Sequence, residues 1–78
     1  MSFTPELIEE LKLLNLYNLS TIQEGIKVHK TAEPAAIAAA RRLHAKGLIT
    51  QADGGYLTGL GIDAAKHAQA LHAILAAT

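Results

Sequence analysis

Apolar residues recur at helical spacing through most of this chain, and the places where that spacing stops mark its elements. Leu7, Leu11 and Leu14 form one side of a first helix, with Glu9 and Lys12 facing away from it. Thr4 precedes the helix as N-cap, Pro5 suits the first helical position, and Glu6 puts a carboxylate at the positive end of the helix dipole. Phe3 and Ile8 occupy the two positions of a hydrophobic staple, which would fix how the chain enters the helix. Asn15 tolerates a left-handed C-terminal position, so the helix is expected to end there.

The connector NLYNLS follows, with Leu16, Tyr17 and Leu19 read as core plugs. Ser20 and Gln23 match the spacing of a capping box and predict a second helix over residues 20–30, with Ile22 and Ile26 inward one turn apart. Gly25 sits inside that helix at about 1 kcal/mol relative to alanine, marking either a closely approaching neighbouring helix or a tolerated weakness. A third helix starts at Thr31, Glu33 and Pro34, continues to Lys46 and stops at Gly47. At about 100° per residue, Ala36, Ile37, Ala40 and Leu43 share one face. Ala35, Ala38, Arg42, Ala45 and Lys46 share the opposite one, with Arg41 on the flank.

Beyond Gly47 the period changes. LIT and YLT read as short strands around QADGG, where Asp53, Gly54 and Gly55 accept the positive φ of a hairpin turn. Thr58 caps a final helix from about Leu60 to Ala76. Ala64, Ala68, Leu71 and Leu75 make one stripe of it, and Ile62, Ala65, Ala73 and Ala76, with Gln69 and His72, make a second that is nearly as apolar.

Composition narrows the picture further. Seventy-eight residues form a single domain, 1–78, near the lower size limit for one unstapled core. The absence of cysteine excludes disulfides, thiolate metal sites and cysteine nucleophiles. With 50% hydrophobic residues, many of them alanine, and only Phe3, Tyr17 and Tyr56 aromatic, the composition favours helices over sheets. The start MSFTPELIEELK lacks the pattern of an export signal, and no long apolar run follows, so a cytoplasmic protein without membrane contact is expected. Net charge is zero but unevenly spread. Residues 1–25 carry Glu6, Glu9, Glu10 and Glu24 against Lys12, a net of −3. Residues 26–50 carry Lys27, Lys30, Arg41, Arg42 and Lys46 against Glu33, a net of +4. Residues 51–78 carry Lys66 against Asp53 and Asp63, a net of −1.

The stretch RRLHAKGLITQADGGYLTGLG, with Leu43, Lys46-Gly47-Leu48-Ile49, Asp53-Gly54-Gly55, Leu57-Thr58 and Gly61, resembles the third helix, wing and following helix of winged helix-turn-helix regulators. The likeness is to the multiple-antibiotic-resistance type and covers roughly residues 20–65. The whole chain is also similar to a small bacterial family of about eighty residues catalogued as hypothetical or candidate DNA-binding proteins. The resemblance implies a mainly α winged helix-turn-helix fold: a three-helix core, a two-stranded β-hairpin wing and a C-terminal helix. It implies a DNA-binding, regulatory or accessory role in transcription, with residues 20–30 as supporting helix and 33–46 as recognition helix. Arg41, Arg42 and Lys46 then become phosphate or groove contacts, with Lys27, Lys30 and Thr31 at the corner.

Two departures weaken sequence readout. The base-reading end AEPAAIAAA offers no Arg, Asn, Gln or Ser for directional hydrogen bonds, and the wing QADGG has no cation while Asp53 repels phosphate. The competing reading is a protein-interaction or dimerisation module that has lost DNA binding, with Ile62, Leu71, His72 and Leu75 of the last helix at a homodimer interface. Catalysis finds no support, nor does a metal site or cofactor. His67 and His72 are five apart, about 140° apart on a helix, unlike an i, i+4 metal pair. His44 is expected to be a partly buried structural group, and the glycines lack the strand, helix and lysine of a phosphate loop.

Overall fold

A computed structural model describes residues 2–21 and 23–77 of the chain. Its elements run α1 (Pro5–Leu14), β1 (Ile26–Lys27), α2 (Pro34–Ala45), β2 (Ile49–Gln51), β3 (Gly54–Leu57) and α3 (Gly59–Ala76). The result is a mainly helical fold with one small antiparallel sheet, a layout consistent with a winged-helix-like arrangement.

The helix ends follow local chemistry. At α1 the Thr4 Oγ accepts the Leu7 N–H at 3.2 Å, which satisfies one of the orphan donors of the first turn. The helix stops at Asn15 as expected, although Asn15 is right-handed, with φ −74°. Gly47, with φ +79°, reverses the chain after α2. Its N–H donates to the His44 carbonyl and that of Leu48 to the Leu43 carbonyl, both at 3.0 Å; this is the double bond pattern of a Schellman cap. Thr58 opens α3 by accepting the Gly61 N–H at 3.0 Å, while its hydroxyl donates to the Gly47 carbonyl. One residue thus joins the end of α2 to the start of α3.

The core comprises Leu13, Leu14 and Tyr17, then Ala39, Ala40 and Leu43 of α2, Ile49 of β2, and Ala65 and Ala68 of α3. Several expected phases shift. The buried line of α1 is Glu10, Leu13 and Leu14, continued by Tyr17; Leu11 is half-buried and Leu7 exposed, as are the staple residues Phe3 and Ile8. On α3 the buried line is Gly61, Ala65 and Ala68. Ala65, on the second stripe, faces the core with Ala68 of the first, because small residues let this helix lie close to its neighbours. Leu71 and Leu75, which share a stripe with Ala68 in the sequence, are exposed.

The predicted helix over residues 20–30 is replaced by irregular chain and strand among the described residues; Ile22 lies outside them. The Ser20 N–H bonds the Asn18 side chain and the Gln23 N–H bonds the Thr21 hydroxyl, so other side chains hold the two backbone donors that the capping box would use. Ile26 and Lys27 then pair antiparallel with Gly55 and Gly54, and the sheet order is β1-β3-β2. Gly25 does mark a close approach, but of a strand: a Cβ there would come within 2.6 Å of the Gly55 carbonyl oxygen. The hairpin is present, but its turn is Ala52 and Asp53 while Gly54 and Gly55 lie in β3, β1 makes the expected two-stranded wing a three-stranded sheet, and the register shifts between Ile49 and Gln51.

Three long-range bonds fasten the end of α1 and the turn that follows it. The Tyr17 hydroxyl donates to the Gly55 carbonyl at 3.2 Å, and burial pushes its pKa up to about 12. The Gln69 amide donates to the carbonyls of Leu14 at 3.1 Å and Tyr17 at 2.7 Å, satisfying acceptors left open where α1 ends.

Candidate functional site

Helix α2 decides where the basic residues go. Successive side chains diverge by about 100°, so Arg41 and Arg42 cannot serve the same surface. Arg42 turns toward α1, where its Nε donates to Glu10 Oε2 at 2.9 Å and its terminal nitrogen donates to the Glu6 carbonyl at 3.0 Å. Lys46, one turn further on, bonds the other oxygen of Glu10. Glu10 is only 5% exposed. Burial pushes its pKa up, but the hydrogen bonds and charges of Lys46 and Arg42 prevail and hold it below the ordinary carboxylate range. The structure therefore places Arg42 and Lys46 in an interhelical ion-pair network rather than with the other expected contacts.

Arg41 points the other way. It lines an open groove of about 830 Å³ together with Lys27, Val28, His29, Lys30, Thr31, Ile37, Ala40, Ala52 and Asp53. Three segments build it: the middle of α2, the strand and turn that lead into α2, and the tip of the hairpin. The Val28 N–H donates to the Asp53 carbonyl at 2.7 Å, which ties the second segment to the third. The Ala32 N–H donates to the His29 carbonyl at 2.9 Å and closes the turn that presents Lys30 and Thr31.

Charge in the groove is unbalanced. Lys27, Lys30 and Arg41 face a single carboxylate, Asp53, which is bridged to Lys27 at 2.9 Å. That hydrogen bond from Lys27 holds the Asp53 carboxyl below its ordinary range. Among the described residues, neither Lys30 nor Arg41 has an acidic partner within ion-pair distance. Of the six residues expected at a DNA surface, the fold brings together Lys27, Lys30, Thr31 and Arg41, and it sends Arg42 and Lys46 to the opposite flank of α2.

The expected interface residues divide similarly. Leu71 is 45% exposed and Leu75 74%, with Ile74 between them at 71%; His72 is exposed as well. Ile62 does not join them. It stands nine residues up the helix, about 14 Å away, beside a small cleft with Tyr17, Leu19 and Leu57. His44 is exposed rather than partly buried. Among the described residues no helix is long and apolar enough to cross a membrane, and no three His, Asp or Glu side chains are grouped to hold a metal ion.

No curated protein and no solved structure matches the chain. The chain belongs to the family of unknown function DUF5669, whose sequence pattern matches residues 1–76.

Proposed function

We propose that this is a DNA-binding domain on a winged-helix scaffold, with an accessory or regulatory role in transcription. The observation that carries the reading is the convergence of Lys27, Lys30 and Arg41 on one groove between the helix and the hairpin that follows it. The topology supports it: a helix, a short strand, a helix before a hairpin, and the sheet order β1-β3-β2 are what a winged helix provides. The turn at residues 30–32 stands where its second helix would be. Lys27, Lys30 and Arg41 meet phosphates, and the Thr31 hydroxyl donates to another phosphate oxygen.

Binding on this reading is weak and largely blind to sequence. The first turns of α2 present Pro34, Ala35, Ala36 and Ile37, which make no directional bond to a base edge. Asp53 sits on the hairpin, where it opposes phosphate. Three phosphate contacts give a salt slope of about −0.9 each, so affinity falls steeply as salt is added.

The test is an amide chemical-shift titration with a mixed-sequence duplex at low salt. Shifts confined to residues 27–31, 37–41 and 52–53, reversed by salt, are the expected result. Shifts confined to the Arg42 and Lys46 flank, or no shifts at all, would end this reading.

A second reading rests on α3. Its buried line of Gly61, Ala65 and Ala68 continues at the same alternating spacing through His72 and Leu75, where no described part of the chain covers it. From His67 to Ala76 the helix carries no Asp, Glu, Lys or Arg, so a second copy can pair with it without opposing like charges. Sedimentation across a hundredfold concentration range tests this: a dimer that Leu75→Asp dissociates supports pairing, and a monomer throughout refutes it.

A further inference from the structure

Phosphate contacts leave part of the groove unused. Its covered lining is aliphatic apart from Asp53, which Lys27 neutralises: Val28 and Ile37 are half-buried and Ala40 is buried. Its exposed lining is polar or cationic, with Lys27, Lys30, Thr31 and Arg41, and only Ala52 is apolar there. The groove is thus greasy in its depth and positive at its mouth. A bare phosphate satisfies the mouth and leaves Val28 and Ile37 in water; a neutral apolar molecule covers the depth and leaves Lys30 and Arg41 without a counter-charge. A volume of about 830 Å³ is far more than one inorganic anion fills, and it falls within the range of small-molecule clefts, roughly 300–1,000 Å³.

We infer that the groove is a binding site for an amphiphilic organic anion: a single carboxylate or phosphate-monoester head on an aliphatic body. The head sits between Lys30 and Arg41, which have no acidic partner among the described residues, and Arg41 can hold it through two parallel N–H bonds. The body lies on Val28, Ile37 and Ala40. Lys27 contributes less, because Asp53 already occupies it. The site does not depend on duplex binding. Where both occur they compete, since both need Lys30 and Arg41, and the anion then acts as a releasing ligand.

Full transfer of a methylene out of water improves affinity roughly fourfold, and an open groove gives part of that. The experiment is a set of amide-shift titrations of the labelled protein with butanoate, hexanoate and octanoate below micelle-forming concentration. Inorganic phosphate serves as the head alone and octyl glucoside as the tail alone. The expected result is a twofold to fourfold gain per methylene, with shifts at residues 27–31, 37–41 and 52–53, and octanoate at least tenfold tighter than either control.

Two variants change the charge at the mouth. Arg41→Ala should weaken octanoate at least tenfold. Ala52→Glu places a carboxylate at the exposed hairpin tip without touching the core and should do the same. Affinity independent of chain length overturns the inference, as does equal binding of octyl glucoside, or octanoate shifts confined to Leu71–Leu75. A duplex titration run in parallel separates the two ideas. Octanoate binding without duplex binding retires the DNA reading alone; duplex binding without chain-length dependence retires this inference alone.

Discussion

The two flanks of α2 carry the same kinds of cation and put them to opposite uses. On one flank, Arg42 and Lys46 converge on a buried carboxylate and join α2 to α1. On the other, Arg41 joins Lys30 over a groove in which the sole carboxylate is engaged by Lys27. One residue of sequence, a rotation of about 100°, separates the two roles. The lesson is that a basic cluster in a sequence has to be divided by the acids that the fold brings to it. Glu10 takes two of the five cations of the middle third before any partner can.

The largest effect expected from this comparison is on stability. Replacing both Arg42 and Lys46 with alanine leaves Glu10 buried without a counter-charge, which should cost about 3–5 kcal/mol in urea unfolding. In a domain of this size that is enough to populate the unfolded state. A loss below about 1 kcal/mol would mean that Glu10 reaches water and that the network is a surface feature.

A pH series sharpens the same contrast. The folded pKa of Glu10 lies below its unfolded value, so its contribution is fully present above the unfolded pKa, near 4.5. It is lost as pH falls through the lower folded value. Wild type should therefore lose more stability than Glu10→Gln between pH 5 and the acid limit. Parallel curves for the two proteins would remove Glu10 from the account.

Arg41→Ala tests the other flank and should change unfolding by no more than about 0.5 kcal/mol. Its effect belongs to binding: weaker affinity for every duplex, and a salt slope shallower by about one. The smallest change expected is from Asp53→Asn. It releases Lys27 and removes a like charge facing phosphate, so duplex affinity should rise a few-fold at low salt. No change there would place Lys27 outside the contact surface.

What was legible in the sequence was what neighbours in the chain decide. Thr4 with Pro5, Gly47, and Thr58 each end or begin a helix through bonds to residues within a few positions, and all three appear where their types predict. The hairpin was legible for the same reason. The region 20–30 was not, because the four-residue spacing of Ile22 and Ile26 fits a helix equally well. Its actual form depends on Gly54 and Gly55, some thirty residues away. A two-residue strand has no signal of its own; β3 creates it.

The site shows the same division. Lys27, Lys30, Thr31 and Arg41 do line one groove, although the first three stand on a strand and turn instead of at a helix corner. The pairing of Arg42 and Lys46 with Glu10 was not legible, because Glu10 lies on α1, 32 and 36 residues earlier. A trace of it was present: Glu10, Leu13, Leu14 and Tyr17 lie at i, i+3, i+4 and i+7, a stripe as regular as Leu7, Leu11 and Leu14. Its first member is charged, and a lone acid on an apolar stripe asks for a cation from elsewhere.

The bonds from Gln69 to Leu14 and Tyr17 bear on how the chain is made as well as how it is held. During synthesis α1 emerges before α3, and the groups that close its end and hold Tyr17 arrive 38 to 55 residues later. Until α2 follows, the nascent helix is a marginal ten-residue segment with its apolar side uncovered. The acceptors at the end of α1 are satisfied only once α3 has been made. The domain should therefore acquire its structure in a single late step, and a chain halted after β3 would be a substrate for chaperones or proteases rather than a smaller working version of the protein.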